Sequence, residues 1–135
     1  MPKLKDLVEL SYLSEAISDM SFLGLMRLLE SARAFNQKNG ITGILLYDNQ
    51  QFGQIIEGER ANIMKVWKRI QEDGRHHRIE LLEIQEISER SFPDWRLRFY
   101  GGETLTRDNP ALVNMVGGMD KHSHDLMNRM RQTER

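Results

Sequence analysis

The stretch Ile41 to Tyr47 is almost unbroken apolar sequence, and it is the tightest constraint this chain places on its own fold. A strand with one wet face alternates polar and apolar residues, whereas a run like this one must be buried on both faces. Asp48-Asn49 then supplies a hairpin turn, and Gln51 to Glu57 returns as the partner strand. Upstream, Leu7 to Leu13 alternates well enough for a strand, with Val8, Leu10 and Tyr12 on one face and Glu9 and Ser11 on the other. Ser21 can cap a helix that carries an apolar stripe of Phe22, Leu25, Leu29 and Ala32 to about Lys38, where Asn39-Gly40 ends it. Downstream, a second helix from Ala61 to about Asp73 buries Ile63, Val66, Trp67 and Ile70. Two more strands follow, Glu80 to Ser88 and Trp95 to Tyr100, with Pro93 in the turn between them.

The order strand, helix, strand, strand, helix, strand, strand predicts an α+β sandwich of ferredoxin-like type, βαββαββ: a five-stranded mixed sheet with two helices on one face. The 135 residues are one ordinary domain's worth. Residues 1–101 form that domain. Residues 102–135 form a C-terminal helical extension opened by Asn109-Pro110, a segment for output or oligomerisation that lies against the sheet or projects from it.

Charge and composition remove several classes of function. A net charge of −1 leaves no basic face for a nucleic-acid backbone. No apolar run approaches the roughly 20 residues that span a bilayer. The amino terminus lacks the apolar core of a signal peptide, so the cytoplasm is the expected compartment. With no cysteine there is no disulfide, thiolate nucleophile or Cys-ligated metal. Phosphate-loop and dinucleotide glycine patterns are absent. The tail run His122-Ser123-His124-Asp125 has no second ligand cluster behind it, so no metal is expected.

Three polar residues fall where apolar ones belong. Period-two alternation puts Tyr12 with Val8 and Leu10, and Gln54 with Phe52 and Ile56. Asn36 continues the stripe of the first helix four residues beyond Ala32. A buried amide without partners costs about 1–3 kcal/mol, so these groups satisfy either one another, as a core network, or a flat polar ligand enclosed between sheet and helices. Arg69, Asp73, Arg75 and His76 gather at the end of the second helix; Arg69 and Asp73, four apart, also suit a solvated helix pair.

These pieces together resemble the BLUF (blue-light-using flavin) domains, from about Leu7 to Phe99. The resemblance rests on LSYLS with Tyr12, ESARAFNQKNGITGILLY with Asn36, FGQIIEGE with Gln54, RIQEDGRHH with Arg69, Asp73, Arg75 and His76, and ISERSFPDWRLRF with Trp95. It implies an oxidised flavin, usually FAD with FMN or riboflavin tolerated, lying between the two helices. Leu28 and Ile70 would sandwich the ring and Asn36 would pair with its pyrimidine edge. Arg69 and Asp73 would line that same edge, with Arg75 and His76 close by. Tyr12 and Gln54 match the photoactive pair: the phenol gives an electron and then a proton to the excited flavin, and the Gln amide, both donor and acceptor, relays it. A shifted hydrogen-bond pattern that relaxes in the dark is the product, and no substrate is turned over.

Two positions depart from the family pattern. Gly53 stands where a bulky residue usually precedes the Gln, which can loosen the strand or let another group approach. Leu97 replaces the usual Met two residues after Trp95, so the output route through these two residues, expected on one face of the fifth strand, rests on packing alone. With no effector segment legible after residue 101, the output is expected to reach a separate protein partner or a homo-oligomer. The competing readings are an acylphosphatase-like enzyme, which the acidic SEAISD segment does not suit, and an interaction module that has lost its flavin.

Overall fold

The computed structural model of the chain describes residues 6–101 and 121–133. Its elements run β1 (Leu7–Ala16), α1 (Phe22–Lys38), β2 (Thr42–Asp48), β3 (Gln51–Glu59), α2 (Arg60–Glu72), β4 (His76–Glu86), β5 (Arg98–Gly101) and α3 (Lys121–Thr133). The five strands form one sheet in the order β4-β1-β3-β2-β5, antiparallel except for the β2–β5 pair. This is the expected mixed sheet with α1 and α2 on one face. The proposed opening of the C-terminal helix at Asn109-Pro110 lies outside the described residues.

Local chemistry accounts for the elements. Ser21 caps α1 by accepting from the Gly24 N–H at 3.0 Å, and Gly40 stands beyond its end at φ +64°. The β2–β3 hairpin turns at Asn49 and Gln50, both at positive φ (53° and 64°), one residue later than the Asp48-Asn49 turn expected. Two successive left-handed residues give the primed twist that suits a two-residue hairpin, and Asp48 is instead the last strand residue, paired with Gln51. β1 and β4 are longer than alternation suggested because they pair with each other at their ends: Ala16 with His76 and Glu15 with His77. Pairing of that kind depends on tertiary register and leaves no local pattern.

The apolar run of β2 is buried on both faces, as required, but the two helices cover only one. Leu45 and Tyr47 pack under α1 with Leu25, Leu29 and Phe52. Val8, Leu10, Tyr12 and Ile56 pack beside them under α2 with Ile63 and Val66. The opposite face carries Leu13, Ile44, Leu46 and Ile55, and α3 covers it with Leu126, Met127 and Met130. Glu9 and Ser11, on the face away from the α1–α2 layer, are therefore buried as well.

Candidate functional site

The sheet's α1–α2 face is not closed everywhere. Between the two helices a cavity, partly open to solvent, is lined by Tyr12, Leu28, Asn36, Gln54, Arg69, Ile70, Asp73, Arg75, His76 and Leu97, among others. All nine cofactor-site residues singled out in the sequence meet there.

Tyr12 and Gln54 are cross-strand partners in β1 and β3, and the phenol donates to Gln54 Oε1 at 2.5 Å. Tyr12 is tilted against Trp67, with ring centroids 5.4 Å apart, and its edge meets His76. Burial pushes its phenol well above the usual tyrosine range, and the nearby Asp73 carboxylate adds to the shift. The O–H therefore stays protonated and remains a donor. Among the described residues Gln54 Nε2 has no hydrogen-bond partner, so the amide brings an unused donor to the cavity wall.

Asn36 joins neither of them. Its Nδ2 donates to the Arg96 carbonyl at 2.6 Å, while Arg33 Nε, one turn earlier on α1, donates to the Leu97 carbonyl at 2.8 Å. The inward polar trio thus divides: two satisfy each other, and the third ties α1 to the segment before β5.

At the cavity mouth the Arg69–Asp73 helix pair, one of the two arrangements their spacing suited, does not form. Asp73 follows the last residue of α2 with an extended ψ of 117°, which turns it out of the helical register. It takes Arg75 instead, whose Nη2 lies at 2.6 Å, and this guanidinium holds the Asp73 carboxyl below the usual carboxylate range. Arg69 lies over the Phe35 ring, 4.4 Å from its centroid, and donates to Ser31 Oγ. His76 is fully engaged: Nε2 meets the Ile70 carbonyl at 2.6 Å and must carry a hydrogen, and Nδ1 meets Ser14 Oγ at 2.7 Å.

Trp95 and Leu97 do not share a face. β5 begins only at Arg98, so alternation does not apply across residues 95–97. Leu97 enters the cavity wall and packs with the α1 cluster. Trp95 packs on the α3 side, stacked on Phe92 at 5.6 Å with the Arg98 guanidinium over its ring. The start of the segment that leads to Trp95 is held by a residue the sequence reading passed over. Glu57, fully buried, accepts from Phe92 N at 2.6 Å, Ser91 N at 2.8 Å and Thr42 Oγ1 at 3.0 Å. An acidic residue inside an apolar strand is the signal that could have found it. In the tail, His122 Nε2 lies 3.0 Å from Glu9 Oε1, and among the described residues no cluster of three metal-ligating groups occurs. No described helix is long and apolar enough to cross a membrane.

The donor set suits a flavin ring. Leu28 and Ile70 offer apolar walls from the two helices, and the amides and guanidinium groups offer donors and acceptors around an edge. A family model described as sensors of blue-light using FAD matches residues 7–98. The photoactivated adenylate cyclase subunit beta of Euglena longa is 35% identical over 105 residues, which are 77% of this chain and 12% of that protein. Subunit alpha of Euglena gracilis is 34% identical over 86 residues, 64% of this chain and 8% of that protein. The chain therefore spans about an eighth or less of these relatives. Among solved structures, BlrB, a BLUF protein in its dark state, superposes with a TM-score of 0.73 at 29% identity, covering 96% of this chain and 97% of that one. BlsA in its photo-activated state gives 0.69 at 29% identity, with the same coverage. A bacterial light-regulated adenylyl cyclase gives 0.69 at 27%, covering 91% of this chain and 36% of that one.

Proposed function

Because the chain belongs to the BLUF family of blue-light sensors, we propose that it holds an oxidised flavin non-covalently between α1 and α2 and signals light without turning over a substrate. FAD is the expected form, with FMN and riboflavin as smaller ligands carrying the same ring. The observation that carries the reading is the short Tyr12–Gln54 hydrogen bond beside an unused Gln54 N–H on the wall of the cavity between α1 and α2. Leu28 and Ile70 sandwich the ring, Asn36, Arg69 and Asp73 serve its polar edge, and Arg75 and His76 complete the mouth.

When bound and excited by blue light, the flavin supplies a strong oxidant. The chain supplies the rest. Tyr12 is a neutral phenol whose proton has a path along its hydrogen bond to Gln54 Oε1. An amide that gains a proton on oxygen can lose one from nitrogen, so Gln54 can exchange its donor and acceptor ends or rotate between them. Either change alters the hydrogen bond that Gln54 offers the cavity. The side chains of Leu28, Leu45, Val66, Ile70 and Leu97 give it an apolar surround. Trp95 and Leu97, on opposite sides of the sheet, are the proposed output residues, and the signal passes to a cytoplasmic protein partner or another copy of the chain.

The test is spectroscopic. Protein purified in dim red light and loaded with FAD should be yellow, with an absorption band that moves to the red under blue light and returns in darkness. A colourless protein that also refuses FAD, FMN and riboflavin sinks the reading. One that binds flavin but keeps its band fixed under light removes the sensing half.

A further inference from the structure

The missing side chain at Gly53 is filled from the far side of the sheet. A Cβ at this position would lie 2.6 Å from Met130 Sδ, 3.2 Å from Met130 Cγ and 3.3 Å from Leu126 Cγ. Leu126 and Met130 are four apart and share one face of α3. Both are buried, Met130 to 1% exposure, among Leu13, Ile44, Leu46 and Ile55. So the group that lets another approach at Gly53 is α3, on the face opposite the cavity, and Met130 rests on the backbone of β3 itself.

The strand register makes that contact informative. Leu45, Gln54 and Tyr12 form one cross-strand row facing the cavity, while Leu46, Gly53 and Leu13 form the adjacent row facing α3. The rows are made of consecutive residues in the same three strands. A side chain at 53 would meet α3 through rotatable bonds that absorb small shifts. Bare backbone passes them on, because close-packed interiors yield little.

We propose that Gly53 and Met130 form the joint through which α3 reads the pocket. The proposal rests on the photoreceptor reading. A change at Gln54 moves the β3 backbone, the seat under Met130 shifts, and the second half of α3 loosens. The first turn stays pinned by His122 on Glu9 and against the Phe92 ring, 5.8 Å away. Gly53 is thus a positioning residue for output.

Amide hydrogen exchange on the FAD-loaded full chain, in darkness and under blue light, tests this. In the wild type, light should raise exchange in α3 severalfold and leave β2 unchanged. Gly53→Ala should raise α3 exchange severalfold already in darkness, and Gly53→Ala/Met130→Ala should bring it back towards the wild-type level. Met130→Ala should keep the flavin red shift while its light-induced rise in α3 exchange, measured against its own dark level, falls below half. Unchanged dark exchange in Gly53→Ala, or a full light response in Met130→Ala, overturns the joint. A red shift in the wild type without any change in α3 also overturns it. A wild type with no red shift overturns the photoreceptor reading instead, and the dark comparison of the Gly53 variants still decides whether α3 is seated on that residue.

Discussion

Replacing Tyr12 by Phe removes one oxygen and leaves the ring where it packs, against Trp67 and His76. What is lost is the 2.5 Å bond to Gln54 Oε1. A neutral hydrogen bond contributes about 1 kcal/mol net, but an acceptor left buried without a donor costs about 1–3 kcal/mol. Gln54 is 6% exposed, so the larger figure applies. With an unfolding entropy of about 2 cal/mol/K per residue, a chain of this length loses about 3–4 °C per kcal/mol. Tyr12→Phe should therefore lower Tm by about 4–10 °C in the flavin-free protein, followed by circular dichroism. Gln54→Leu in the same background should recover part of that loss, because removing both partners is cheaper than stranding one. In the flavin-loaded protein the red shift under blue light should vanish while FAD still binds. A wild-type red shift in Tyr12→Phe would refute the role given to the phenol. An unchanged Tm, with no recovery in the double variant, would refute the hydrogen-bond argument itself.

Other expectations follow from neighbouring groups. Glu57→Ala strands the buried Phe92 N–H and frees the segment after β4; we expect a loss of about 2–4 kcal/mol in urea unfolding and new protease cuts at residues 90–97, with no loss refuting the anchor. Asn36→Ala should weaken FAD binding about 5- to 150-fold, the equivalent of one buried hydrogen bond of about 1–3 kcal/mol; an unchanged Kd by fluorescence titration would remove Asn36 from the ring's edge. The Tyr12 phenol is raised above its unfolded value near 10, so its contribution is fully present below that pH. As pH climbs past about 10 the unfolded chain loses this proton first, and stability falls towards the folded-state value. Tyr12→Phe should show a shallower alkaline decline in Tm, and an identical decline would contradict the burial argument.

Much of the fold was legible because alternation and capping are local. The β2–β3 hairpin, the cap at Ser21 and the inward faces of Tyr12, Gln54 and Asn36 all come from spacing. What escaped depends on partners distant in sequence. The first residues of β4 are strand only because they pair with the end of β1. Trp95 and Leu97 part company because the chain has not yet entered β5 there, so the period of two says nothing. Arg69 at helical spacing from Asp73 looked like its partner. The competing bond from Arg75, formed where the chain leaves the helix, won because a two-residue separation lets one guanidinium fork both carboxylate oxygens. Gly53 was visible as an anomaly, but what fills it becomes known only when Leu126 and Met130, more than seventy residues away, are in place.

The segment from Ser91 to Leu97 joins these observations. It is a strap rather than a strand, and three fixed groups grip its backbone: Glu57 at Ser91 and Phe92, Asn36 at Arg96 and Arg33 at Leu97. The Gly43 N–H is a fourth grip, on the Trp95 carbonyl at 2.9 Å. Its side chains go opposite ways, Leu97 into the cavity and Trp95 towards the α3 face. A strap held this way cannot trade one side chain for the other without breaking backbone hydrogen bonds. It can shift when one grip changes strength. Asn36 is the grip that also lines the cavity, so an occupant of that cavity that bonds its amide also tunes its hold on the Arg96 carbonyl. By linkage the reverse holds: whatever moves the strap changes the affinity of the cavity for its ligand by the same factor. β3 offers the second crossing, with Gln54 facing the cavity and Glu57 facing the strap's anchor three residues on. The pocket is therefore coupled to the opposite face at two places, by hydrogen bonds through the strap and by packing through Gly53.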